Sequence, residues 1–459
     1  MRPRNQAARD RLAGVLARRA EVSAGDLATA LDVSIPTLHR LLKEFGDRVV
    51  ATGKARRTRY ALRRELRGVA APLPLYEIDS TGRAALRAHL ALVHPQGSCM
   101  DLAGSGWPVP DASRDGWWGG LPYPLNDMRP QGYMGRQFAR AEHRALAVPA
   151  NPHEWGDDDV AHVLSHRGSD VSGNLILGDR AFERWQAATV APLDPFKPRA
   201  VAAAYARLAE HAIGAGVAGS SAAGEFPKFS ATRALGGSAT PHVLVKFSGA
   251  DRSAAVQRWA DLLVAEHLAL ECVATLPGVA SARSRIVTGA GRTFLEVERF
   301  DRHGFFGRSR LTSLATLDAA LLGAGSSDWT ALAMRFQALG LLAAEDVEHV
   351  NLVGWFGRLI ANTDMHTGNL SFVPHGRLML APTYDMLPML YAPLPGGELP
   401  TRSFEPALPL PPQRTAWLAA CTAALVFWQR AAADARIGAA FRRVCTANAT
   451  RLQQVAERV

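Results

Sequence analysis

Apolar positions recur at helical spacing near the start of the chain. Leu12, Val15 and Leu16 share one face of a helix predicted over 9–19, and Leu27, Leu31 and Val33 line a second, capped by Ser23. Ser34 then caps a third helix with Pro36 in its first turn; Ile35, Leu38, Leu42 and Phe45 form its inner stripe and Thr37, His39, Arg40 and Lys43 its outer face. A hairpin follows, 49–52 and 58–62, around a Gly53-Lys-Ala-Arg-Arg turn. Beyond a linker at 70–75, alternation opens a strand at Leu75, and a turn over 168–178 leads into a short strand at 174–177. Further on, the pattern predicts an Ala-rich helix over 201–213, strands at 226–231 and 242–247, and a long amphipathic helix over 254–275. A strand from Thr293 runs into a charged segment ending at Arg302. Helix-rich stretches at 317–341 and 344–360, a hairpin at 370–373 and 377–380, a Pro-rich crossing and two last helices, 414–433 and 436–457, complete the reading.

Composition makes this a folded chain of several domains. Among 459 residues, 48% are hydrophobic and 20% charged, which excludes a disordered polymer. No apolar run reaches 18 residues and the basic start is not followed by an apolar signal core, so the expected location is the cytoplasm, away from membranes. Cys99, Cys272, Cys421 and Cys445 are scattered without a C-x-x-C pair, as core thiols of a reducing compartment would be.

Charge is placed unevenly. Residues 1–70 hold 16 Lys/Arg against 7 Asp/Glu, so nine of the ten net positive charges sit there. Helix, helix, helix and basic hairpin is the layout of a winged helix-turn-helix, expected over 1–68 with double-stranded DNA as partner. Thr37, His39, Arg40 and Lys43 would face the major groove, with Thr37 and Arg40 at base edges, and Lys54, Arg56, Arg57 and Arg59 would contact phosphates. A helical protein-interaction domain with a solvated basic face is the plainer reading of the same pattern.

Chemistry concentrates around Asn362-Thr-Asp-Met-His-Thr-Gly-Asn369. Asp364 and Asn369 have the D-x-x-x-x-N spacing of a kinase catalytic loop, where the Asp accepts the substrate hydroxyl proton and the Asn holds Mg²⁺. Asp385 stands where a second metal carboxylate is needed, and Mg²⁺ takes its remaining oxygens from ATP and water. A polar loop of Asx turns has the same local pattern. Upstream, the glycine- and serine-rich stretch 214–224 fails both as a dinucleotide fingerprint, lacking a preceding strand, and as a Walker A loop, lacking its Lys. It retains the composition of a loop that brings backbone amides to phosphates. Lys246 ends an apolar strand, where an ammonium is costly unless it meets an anion. Glu266 on the next helix is the expected partner, with Glu271 as the alternative, and backbone near Glu298 and Phe300 would form an adenine-binding hinge. His162 and His166 have the i, i+4 spacing of a metal pair but no third ligand, and Trp117 and Trp118 read as buried anchors.

Taken together, these motifs resemble the HipA family of serine/threonine kinases, the toxin halves of type II toxin–antitoxin pairs, and more closely its YjjJ-type branch, whose members carry their own helix-turn-helix. The resemblance runs from about residue 72 to the C-terminus. It is carried by Asp127-Met-Arg-Pro-Gln-Gly-Tyr-Met-Gly135, Gly219-Ser-Ser-Ala-Ala-Gly-Glu-Phe-Pro-Lys-Phe229, Val245-Lys246, Val297-Glu-Arg-Phe-Asp-Arg302, the 362–372 loop and Pro382-Thr-Tyr-Asp385. It implies an α+β multidomain chain: the winged module (1–68), a HipA N-terminal subdomain (69–150), a mixed α/β kinase N-lobe (151–302) and a helix-rich C-lobe (303–459). It further implies ATP- and Mg²⁺-dependent phosphorylation of a protein Ser or Thr, with Asp364 as base, Lys246 on phosphate, Asn369 and Asp385 on metal, and Asp301 and His366 near the nucleotide. Ser220, Ser221 and Gly224 belong to the family's glycine-rich loop, with Ser221 aligning to a self-inhibitory autophosphorylation site. Phe226 stands where relatives commonly have Gln. A HipB-like antitoxin is an implied partner. Two other readings fit the same residues: a transcription regulator whose kinase-like body senses nucleotide without phosphotransfer, and a small-molecule kinase.

Overall fold

The computed structural model describes residues 3–214 and 226–459. The chain divides into two compact units, one of residues 1–78, 84–129 and 154–190, the other of 79–83, 130–153 and 191–459.

The first unit begins with α1 (Pro3–Arg18), β1 (Val22–Ser23), α2 (Ala24–Leu31), α3 (Ile35–Phe45), β2 (Val49–Thr52) and β3 (Arg59–Leu62), the strands forming a small antiparallel sheet in the order β1-β3-β2. Ser23 caps α2 as its residue type demands, its hydroxyl accepting the Asp26 N–H at 3.1 Å. Leu12, Leu16, Leu27, Leu31, Leu38, Leu41, Leu42 and Phe45 fill the core between the helices. Two positions differ from the expected stripe: Leu41 is buried, while Ile35, in the first turn of α3, is 41% exposed. The hairpin tip needs glycine, because a Cβ on Gly53 (φ +99°) would meet the Arg57 carbonyl oxygen at 2.6 Å.

A five-stranded sheet, order β7-β6-β5-β4-β8, completes this unit from β4 (Leu73–Ile78), β5 (Ala84–Leu92), β6 (Ser98–Cys99), β7 (Trp117–Trp118) and, further along the chain, β8 (Leu175–Leu177). Trp117 and Trp118 are both buried. Helix α4 (Gly132–Leu146) belongs to the second unit, whereas α5 (Asp157–Arg167) and α6 (Asp179–Val190) flank β8 in the first. His162 and His166 lie on α5, and His166 Nδ1 bonds the His162 carbonyl at 2.8 Å, a bond internal to the helix.

The second unit is built on a four-stranded antiparallel sheet, order β11-β12-β10-β9. After α7 (Val201–Gly214) come β9 (Lys228–Thr232), β10 (His242–Phe247), α8 (Ala254–Val273), β11 (Ser284–Gly289) and β12 (Arg292–Glu298). On one face Phe229, Val243, Val245, Phe247 and Phe294 pack with Val201, Tyr205 and Ala209 of α7. Helix α8, capped by Ser253 on the Val256 N–H (3.2 Å), packs against β11, β12 and a later helix, α12 (Arg414–Ala433), which explains why its middle is buried nearly all round.

Two short ladders, β13 (Arg302–His303) with β14 (Gly307–Arg308) and β15 (Thr312–Ser313) with β16 (Ser371–His375), lead into the helical part. There α9 (Leu314–Leu317) continues as a π-turn at Asp318–Leu322, so the helix-rich stretch expected over 317–341 is broken before α10 (Trp329–Ala338). Helix α11 (Ala344–Leu359) delivers the 362–369 loop, and the hairpin of β16 with β17 (Arg377–Leu380) returns the chain toward Asp385. Helices α12 (Arg414–Ala433) and α13 (Ala439–Ala456) close the unit; Arg436, expected inside the last helix, precedes it and pairs with Asp434. No helix among the described residues is long and apolar enough to cross a membrane.

Candidate active site

Lys246 is the centre of the site. It is buried, and its Nζ contacts the Glu266 carboxylate at 2.7 and 2.9 Å and Asp385 Oδ1 at 2.5 Å. Strand β10 supplies the lysine, α8 the glutamate, and the segment after β17 the aspartate. Glu271 lies elsewhere, on Arg430 of α12 and near His267. Burial opposes charge on Lys246, but Asp385 and Glu266 together outweigh it and push its pKa above the ordinary lysine range. Burial also works to raise Asp385, yet the charges of Lys246 and Lys228 hold its carboxyl below the usual range. Glu266 is pushed up to about 7 by burial, against the pull of Lys246.

Lys228 carries no sequence signal of a functional role beyond its place in a strand-like run. In the β9–β10 ladder it stands directly opposite Lys246, so both side chains leave the same face of the sheet.

The 362–369 loop is organised by Asn362, a role that no short-range pattern marks. Its Oδ1 accepts the Asp364 N–H at 3.0 Å, an Asx turn, and its Nδ2 donates to the Asp385 carbonyl at 3.4 Å. Ala361 (φ +59°) and Asp385 (φ +56°) both adopt left-handed backbone, which costs a non-glycine residue on the order of 1 kcal/mol and concentrates at functional sites. Asn369 Nδ2 donates to the Asp364 carbonyl at 2.9 Å, and the His366 ring accepts the Gly368 N–H at 3.1 Å. A continuous bonded path therefore joins Asn369, Asp364, Asn362, Asp385, Lys246 and Glu266. Gly357 of α11 makes room for the loop, since a Cβ there would lie 2.6 Å from Met365 Sδ.

At the expected hinge, side chains are committed to the protein itself. Arg233, 1% exposed, bonds Glu298 at 2.8 Å and Glu296 at 2.7 Å, and Tyr205 donates to Glu296 at 2.7 Å. The Glu298 N–H donates to the Arg283 carbonyl at 2.8 Å. Asp301 is held by Arg299 (3.0 Å) and Arg302 (2.7 Å). The Phe300 ring lies 5.8 Å from that of Tyr384, beside Asp385. Ser220, Ser221 and Gly224 lie outside the described residues.

Among the described residues no group of three or more His, Cys, Asp or Glu side chains is placed to hold a metal ion. The donor set at Asn369 and Asp385, one amide and one carboxylate, fits a hard cation that draws its other oxygens from phosphate and water.

In the first unit, His39, Arg40 and Lys43 are exposed on α3, while Thr37 is half-buried with its hydroxyl 3.0 Å from that of Ser34. Lys54, Arg56 and Arg57 are exposed at the hairpin tip; Arg59 instead folds back on the Arg56 carbonyl at 3.2 Å.

Comparison with known proteins agrees with this architecture. Residues 69–186 match the family model described as the YjjJ-like toxin middle domain, and residues 220–455 match the HipA-like C-terminal domain. Toxin YjjJ of Escherichia coli strain K12 is 37% identical over 442 residues, covering 95% of this chain and 96% of that protein. Among solved structures, the HipA, HipB and operator DNA complex of Shewanella oneidensis MR-1 contains a similar chain, with a TM-score of 0.53 at 15% identity over 83% of this chain and 97% of the other. With a HipA-like model spanning most of its second unit and a toxin matched along nearly its whole length, the chain belongs to the HipA family of toxins.

Proposed function

We propose that the chain is an ATP-dependent protein serine/threonine kinase. The observation that carries this reading is Lys246, buried between a helix glutamate and the Asp385 carboxylate beside a loop holding Asp364 and Asn369. Lys246 and Lys228 supply positive charge for a triphosphate, and Glu266 keeps Lys246 aimed. Backbone near Glu298 and Phe300 takes the adenine, with Asp301 and His366 near the nucleotide. Asp364 accepts the proton of a substrate Ser or Thr hydroxyl; the oxygen attacks the γ-phosphorus, the bond to the β-phosphate oxygen breaks, and ADP leaves. Asn369 and Asp385 would hold Mg²⁺, which when bound neutralises charge on the phosphates. Incubation with γ-labelled ATP and Mg²⁺ tests this: label on the chain or on a cell protein, absent in Asp364→Asn, is expected, and no label from the wild type refutes it. Mass spectrometry of the labelled chain is expected to find phosphate on Ser221 or Ser220, where nearly two added negative charges would oppose ATP phosphates.

We also propose that residues 1–68 act as a winged helix-turn-helix on duplex DNA. The exposed row of His39, Arg40 and Lys43 on α3 and the basic hairpin tip support it. A HipB-like antitoxin is a further proposed partner, since the solved HipA relative is in complex with HipB and DNA.

A further inference from the structure

The two residues proposed to hold the metal come from separate segments, and the structure joins those segments through the side chain of Tyr384. Tyr384 immediately precedes Asp385. Its hydroxyl donates to the Gly368 carbonyl at 2.9 Å and lies 2.8 Å from Ser371 Oγ. Because the phenol hydrogen is used on Gly368, the Ser371 hydroxyl is the donor to the Tyr384 oxygen. Ser371 is 5% exposed and sits in β16, so one end of the strut is anchored in the sheet.

Gly368 carries the carbonyl of the peptide whose N–H belongs to Asn369. That N–H donates to the His366 carbonyl at 3.0 Å. The planar unit is thus gripped on both sides, by Tyr384 at its oxygen and by His366 at its nitrogen. With Asn369 Nδ2 bound to the Asp364 carbonyl at 2.9 Å, its Oδ1 is the oxygen left for a cation. On the other side, Asp385 is left-handed at φ +56° and needs its neighbours held. The Tyr384 ring also lies 5.8 Å from Phe300, so the same side chain reaches the proposed hinge.

We infer that Tyr384 is a positioning residue that sets the separation of Asn369 and Asp385 and so the affinity for the divalent cation. This rests on the kinase reading for its consequence in catalysis, but its effect on cation-dependent nucleotide binding does not require phosphotransfer. Outer partners of metal ligands change metal affinity about 10- to 100-fold when removed.

Tyr384→Phe keeps the ring and deletes only the hydroxyl. Binding of a non-hydrolysable ATP analogue to the full chain is titrated with Mg²⁺, alongside labelled phosphotransfer and thermal melting. The expected result is at least a tenfold rise in the Mg²⁺ needed for half-maximal analogue binding, with the affinity measured at saturating Mg²⁺ little changed. Ser371→Ala, which leaves the Gly368 bond in place, is expected to give a smaller rise in the same direction. An unchanged Mg²⁺ requirement in Tyr384→Phe overturns the inference, as does a lower melting temperature with no change in Mg²⁺ requirement. A wild-type chain that binds the analogue but transfers no phosphate refutes the kinase reading while leaving this measurement intact. One that shows no Mg²⁺-dependent binding overturns both.

Discussion

Lys246 Nζ and Asp385 Oδ1 lie 2.5 Å apart although they are 139 positions apart along the chain, and the same ammonium holds Glu266. One buried cation thus faces a buried carboxylate, Glu266, and a half-buried one, Asp385. Mg-ATP binding on the proposed scheme would exchange the Lys246–Asp385 contact for contacts to phosphate and metal.

Removing Lys246 leaves Glu266 buried, and Asp385 half-buried, without their cation. Lys246→Met is expected to destabilise the chain by about 3–5 kcal/mol, the usual cost of breaking a buried pair from one side. Asp364→Asn, by contrast, is expected to abolish phosphotransfer with little loss of stability. Denaturant titration of both variants, with labelled ATP assays in parallel, measures the two effects separately.

Glu266 gives a pH dependence of definite sign. Its carboxyl is pushed up to about 7 in the folded chain from an ordinary 4.5, so folding favours proton uptake. The resulting stabilisation is fully present below about pH 4.5 and is lost as pH rises through about 7, amounting at most to about 3 kcal/mol. Melting temperatures of the wild type relative to Glu266→Gln are expected to fall between pH 5 and pH 8; a flat difference would contradict this.

Gly357 is packed for the loop and against helix propensity. Alanine in a helix interior is worth about 1 kcal/mol over glycine, but here its Cβ would press Met365 Sδ at 2.6 Å, next to Asp364. Gly357→Ala is expected to change stability by less than about 1 kcal/mol, the two effects offsetting, while phosphotransfer falls at least tenfold. Unaltered activity would show that Met365 yields without moving its neighbour.

For the first unit, Arg40→Ala is expected to weaken binding to a specific duplex by about 1–3 kcal/mol and relax its sequence preference, whereas Lys54→Ala is expected to weaken all duplexes alike and lower the salt slope by about one. Fluorescence anisotropy over a range of salt concentrations distinguishes them. Equal loss on specific and random DNA in both variants would remove Arg40 from base reading.

What the sequence determined by itself is local. Asp364 and Asn369 are five positions apart in one loop, so their meeting is a matter of turn geometry, and the charge of residues 1–70 needs no fold to be counted. The periodicity of α8 placed Glu266 and Glu271 on one helix, but five residues turn a helix by about 500°, leaving them roughly 140° apart, and only packing decided that Glu266 faces Lys246. Ile35 of α3, expected inside, is exposed, and Leu41, which the expected stripe did not include, is buried, for the same reason: a stripe is broad, and the neighbouring helices select its edge. Asp385 reaches Lys246, Lys228 lines up beside it, and Asn362 and Tyr384 bind the loops together only through strand pairing and chain reversal over many residues. No short-range rule carries that information, because a hydrogen bond between segments depends on where the whole unit brings its ends.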